Sequence, residues 1–126
     1  VEPEFIGLDV VLALHTESLR LFGGTDGLRD PGLLDSALAA AQNAHFYGNG
    51  DLFDIAAAYA FHIAQAQAFL DGNKRTAVAT SLVFLAANGF PKKPDWRAIY
   101  DAMIAIAEKR MTKSELARLL RELFGL

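Results

Sequence analysis

The stretch from Leu52 to Asn88 constrains the fold more than any other part of this chain: two alanine-rich apolar segments are joined by Asp71-Gly72, and neither alternates in polarity. Apolar residues recur at helical spacing, and the alanines permit close approach by neighbouring helices. The spacing predicts a third helix over about Leu52 to Ala68 and a fourth over about Asn73 to Asn88, closed by Gly89 as a left-handed C-cap. No convincing strand run appears elsewhere, so the expected fold class is all-α. A first helix covers about Leu8 to Phe22 and ends at Gly23-Gly24. Asp30-Pro31 reads as an N-cap followed by proline at the first helical position, opening a second helix to about Asn43. The run Ala44 to Asp51, with His45, Phe46, Tyr47 and two glycines, suits an exposed loop or short flap able to touch a ligand. Asp95 caps a fifth helix reaching about Glu108, and the capping box Thr112-Lys113-Ser114-Glu115 announces a sixth, ending near Phe124.

Six such helices in 126 residues, of which 52% are hydrophobic, fit one domain with a single core. A net charge of -3 argues against a protein that holds nucleic acid mainly by neutralising phosphates. The absence of cysteine excludes disulfide scaffolds, thiolate metal sites and thiol nucleophiles. The most apolar stretch, Ile55 to Leu70, is interrupted by His62, Gln65 and Gln67 and followed by Asp71, too short and too polar to span a bilayer. Val1 to Gly7 lacks the basic cluster of a secretory signal, so a cytoplasmic protein is expected.

Chemistry concentrates in Gln67-Ala68-Phe69-Leu70-Asp71-Gly72-Asn73-Lys74-Arg75-Thr76, where one buried helix gives way to the next. The first turn of a helix has unpaired N–H groups and the positive end of the macrodipole, and Gly72 lets a ligand approach the main chain. Lys74 and Arg75 add two cations at the same place, the arginine being suited to bidentate contact with phosphate oxygens. Asp71 offers a hard carboxylate oxygen of the kind that shares Mg²⁺ with nucleotide phosphates. An ordinary helix-linking turn, with Asp71 or Asn73 as cap and two solvated cations, has the same composition.

The run Ala-Phe-Leu-Asp-Gly-Asn-Lys-Arg-Thr-Ala resembles the signature of the Fic/Doc superfamily. There a histidine is followed by phenylalanine, an acid, a small residue, asparagine, a variable residue and arginine. Leu14-His15, Gly23-Gly24, Gly27 to Leu34 and Ser36-Ala37 are similar to the amino-terminal pattern of Doc-like toxins. The resemblance extends through Gly89. It implies an all-α fold around a central helical hairpin with ATP at its turn. Asp71 would bind Mg²⁺, the backbone from Gly72 onward with Asn73 would form the anion hole, and Arg75 would contact phosphates, while Phe69 anchors the loop. Lys74 favours Doc, which has lysine there and presents the γ-phosphate of ATP, over the adenylyltransferases, which have glycine there and present the α-phosphate; Gly72 departs from Doc's alanine. The implied activity is that of a toxin phosphorylating a hydroxyl of a translation factor, elongation factor Tu by resemblance. The implied partner is an antitoxin whose disordered tail folds into a groove near the site.

Position 67 departs from the pattern: the family places its catalytic histidine there, and this chain has Gln67. An amide does not accept a proton near neutral pH, so the chain is expected to be nearly inactive. His62 lies more than a turn earlier on another face and does not substitute. His62 and His15 are expected to be partly buried with local hydrogen bonds, and His45 to be open for target contact. Because Asp71 through Arg75 are intact, a substitution that silences a growth-arresting toxin explains Gln67 better than gradual decay. Two other readings are a Fic-type protein adenylyltransferase and a non-catalytic module that binds nucleotide or protein.

Overall fold

A computed structural model describes residues 2–126. Among them six helices form: α1 (Leu8–Phe22), α2 (Pro31–Phe46), α3 (Leu52–Ala66), α4 (Asn73–Ala87), α5 (Trp96–Ala107) and α6 (Lys113–Leu123). The fold is all-α, as the spacing predicts; the extended pairing among the described residues is one isolated antiparallel bridge, Leu28 with Phe69. No helix among them is long and apolar enough to cross a membrane.

The α3–α4 hairpin is the axis of the bundle, and α2, α5 and α6 also pack on α3. Ala56, Ala57, Ala58 and Ala60 are all fully buried, which is how several helices close on one. Ile55, Tyr59 and Ile63 of α3 share a core with Phe84 and Leu85 of α4, Leu34 of α2, Met103 of α5 and Leu120 of α6. Each such side chain contributes about 1.5–3 kcal/mol on burial. The buried Tyr59 hydroxyl accepts the Ile6 N–H at 2.9 Å and donates to the Ile6 carbonyl at 3.3 Å, pinning the chain ahead of α1.

Side chains set the helix starts as expected. Asp30 accepts from Leu33 N–H, Asp95 from Arg97 N–H, and Thr112 with Glu115 makes a reciprocal capping box. A second box, Asp51 with Asp54, opens α3 and also receives Arg121 of α6 at 3.0 and 2.9 Å. That fork joins the end of the chain to the start of the central helix.

Two boundaries differ from those expected. α2 continues past Asn43 to Phe46, because the Phe5 ring packs against His45 and Phe46 and supports the extra turn. The remaining loop, 47–51, leads into the amino terminus of α3, whose 15 residues put about 22 Å of helix between it and the α3–α4 turn. The flap is thus shorter than expected and lies at the end of α3 remote from that turn. α3 in turn stops at Ala66 rather than Ala68, because Gln67 leaves the helix with φ 48° and ψ 44°.

His62 is half-buried, and its Nε2 accepts from Lys113 Nζ at 3.0 Å. Burial, then the Lys113 charge, lowers its pKa below the ordinary histidine value. The unfolded chain therefore takes up this proton at a higher pH than the folded one, so stability present at neutral pH is lost as pH falls through the histidine range. The melting temperature is expected to fall on going from about pH 7.5 to about pH 5.5, and to fall less in His62→Gln. Equal losses in the two proteins would remove His62 as the cause.

Candidate active site

The segment between α3 and α4 is held by the loop after α1. Arg29 and Asp30 both donate their N–H to the Ala68 carbonyl, at 2.7 and 3.1 Å, and Leu70 N–H donates to Gly27 at 3.0 Å. The Arg29 guanidinium donates to the Gln67 carbonyl. Thr25 N–H donates to Asp71 Oδ2 at 2.7 Å. Beneath these contacts Phe69 is buried and stacks on the His15 ring of α1, with centroids 3.7 Å apart and planes 9° from parallel. His15 Nε2 donates to the Asp71 carbonyl at 2.8 Å.

This clamp delivers the chain to the start of α4 with its amides free. The first helical bond runs from Thr76 N–H to Gly72 O at 2.9 Å, and no described residue accepts from the N–H of Gly72, Asn73, Lys74 or Arg75. They border a polar cavity of about 250 Å³ lined by Gln67, Asp71, Gly72, Asn73, Lys74 and Arg75, with Ala64, Leu70 and Tyr100 completing the wall. All six residues singled out in the sequence therefore meet in one place. Neither Lys74 nor Arg75 forms an ion pair among the described residues. The Arg75 guanidinium carbon lies 4.6 Å from the Phe22 ring centre and 5.7 Å from that of Tyr100, and its buried Nε has no partner. Aromatic faces hold the cation in place without neutralising it.

Two of these residues also make contacts that the sequence does not show. Asn73 accepts the Phe69 N–H through Oδ1 at 3.1 Å and donates through Nδ2 to the Phe69 carbonyl at 2.9 Å. Its side chain is spent on the loop, which leaves its main-chain N–H for a ligand. Gly72 adopts φ 81°, and a Cβ there would face His15 Cδ2 at 3.4 Å. The glycine serves the left-handed start of α4 and its approach to α1. Thr76 is fully buried.

Sequence reasoning missed the supports. His15 is buried as expected, but its hydrogen bond spans 56 residues instead of being local. Its place in the Leu14-His15 pattern was the available signal. Phe22 and Arg29 lie in recognised segments with no role attached, and Thr25 and Tyr100 carry no signal at all. Gln67 keeps a left-handed backbone without being glycine. Gln67→Gly is accordingly expected to stabilise the fold by about 1 kcal/mol in denaturant unfolding, with no gain if the clamp alone sets this geometry.

Asp71 lines the cavity and its Oδ1 accepts no hydrogen bond among the described residues, a fit for a cation shared with bound phosphates. No group of three or more His, Asp or Glu among those residues forms a protein-only metal site.

A helical hairpin whose turn carries this loop defines a known class, and the chain belongs to the Fic/DOC family, whose model matches residues 5–85. Relatives within it carry the name Doc. The chain is 32% identical over 121 residues, 95% of each chain, to the protein kinase doc of Escherichia phage P1. It is 45% identical over 78 residues to the toxin Doc of Mycolicibacterium smegmatis, covering 60% of this chain and 59% of that one.

Proposed function

We propose that the site belongs to a Doc-type toxin that moves the γ-phosphate of Mg-ATP to a hydroxyl of a translation factor, elongation factor Tu by family resemblance. The observation that carries this reading is the meeting of four free amides and two unpaired cations on one cavity with an available carboxylate oxygen. The amides of Gly72 to Arg75 bind phosphate oxygens at the positive end of α4. Lys74 and Arg75 neutralise the charge that the transferring group carries, with Arg75 fixed by Phe22 and Tyr100. Asp71 would hold Mg²⁺, whose charge would offset that of the nucleotide phosphates. Position 67 faces the cavity where the acceptor proton must be removed, and Gln67 does not remove it. The chain is thus a nucleotide-binding form in which transfer is nearly arrested.

Lys74 favours kinase over adenylyltransferase chemistry, since it adds charge and bulk where the family's adenylyltransferases have glycine. Incubating Gln67→His with ATP labelled at the α- or γ-position and cell extract decides between them. Label from the γ-position alone supports the kinase, α-label transfer establishes the adenylyltransferase, and no transfer with retained partner binding leaves a binding module.

An apolar groove beside the cavity, lined by Phe22, Val78, Leu82 and Trp96 and continuing to Lys92 and Lys93, suits the tail of an antitoxin folding as an amphipathic helix with acidic flanks.

A further inference from the structure

Of the buried groups that the proposed chemistry leaves unused, His15 is the one tied directly to the phosphate loop. It is 3% exposed, lies flat on Phe69, and reaches from α1 to the Asp71 carbonyl at 2.8 Å. A carbonyl oxygen only accepts, so Nε2 carries the proton in this contact. The Asp71–Gly72 peptide is trans, and in a trans peptide the carbonyl and the N–H point in opposite directions. A carbonyl drawn towards α1 therefore sends the Gly72 N–H away from α1, and no residue of α1 lines the cavity.

We propose that His15 is a positioning residue for phosphate recognition: its hydrogen bond to the Asp71 carbonyl holds the Gly72 amide aimed into the cavity. This rests on the phosphate-binding reading of that site and adds a residue that touches no ligand. Rotation of the peptide is opposed from both sides. The imidazole cannot swing away while stacked on Phe69, and Asp71 is held by Thr25 N–H through its side chain. The bond also fixes the tautomer of a histidine that would otherwise be only core filling.

The test titrates Mg-ATP by calorimetry into the full chain and two variants. His15→Phe keeps an aromatic ring on Phe69 and removes the donor; His15→Gln supplies an amide N–H in its place. The expected result is affinity weaker by about tenfold in His15→Phe and largely recovered in His15→Gln, whatever the order of their melting temperatures. Equal affinity in His15→Phe and the parent overturns the proposal. Should His15→Phe not fold, His15→Asn and His15→Leu, one with an N–H and one without, make the same comparison. Should the parent take up no Mg-ATP, the nucleotide reading fails on its own. The direction of the Gly72 N–H vector, from residual dipolar couplings of the parent and a folded donorless variant, then decides: a turned vector upholds the positioning role and an unchanged one overturns it.

Discussion

Gln67→His is expected to raise phosphoryl transfer to the target by about two to four orders of magnitude, the range a positioned general base contributes. The backbone is already suited to it: position 67 has φ 48° and ψ 44°, a region in which histidine is several-fold more common than most side chains. Its carbonyl is held by Arg29 and its side chain lines the cavity, so the imidazole arrives without rearrangement of the loop. An imidazole titrates near neutral pH, where the amide it replaces has no accessible proton uptake. Initial rates of γ-label transfer at saturating ATP measure the effect. Mg-ATP affinity is expected to stay within about threefold, because the base acts on the acceptor and not on the phosphates. An equal rate in both proteins would show that position 67 does not carry the proton.

Arg75→Ala is expected to weaken Mg-ATP binding by about 2–3 kcal/mol, roughly thirty- to 150-fold, as charge-assisted hydrogen bonds to phosphate are lost. Stability should change much less. The substitution gives up cation–aromatic contacts with Phe22 and Tyr100, yet it also removes a buried Nε that has no partner in the fold. Arg75→Lys should recover little, since an ammonium neither forks to two oxygens nor stacks between two rings as a guanidinium does. Calorimetry on Arg75→Ala, with melting temperature as the control, checks this. An affinity within about twofold of the parent would place the phosphates elsewhere.

The helices were legible because their boundaries are written in local chemistry. Asp30-Pro31, Asp95 and the Thr112 box start helices where a side-chain oxygen can reach a free N–H, and each does so here. The boundaries that moved are those set from outside the segment. Phe5 extends α2 past Asn43, and contacts from the loop after α1 surround the point where α3 gives way at Gln67. The site shows the same division. Asp71, Gly72, Lys74 and Arg75 could be grouped because they are consecutive with a helix start. His15, Thr25 and Tyr100 reach the turn across long sequence separations, which periodicity and spacing do not encode. Asn73 illustrates the middle case: its presence in the turn was readable, but the use of its amide on Phe69 was not.

The clamp across the α3–α4 turn joins residues 38, 46 and 56 positions apart in the chain. A synthetic peptide spanning the two central helices would thus possess every residue lining the cavity except Tyr100 and still lack the mould that shapes them. The proposed recognition is therefore a property of the first helix, the loop after it and the hairpin together, and it vanishes on any opening that parts the first helix from the hairpin, even one that leaves both helices wound.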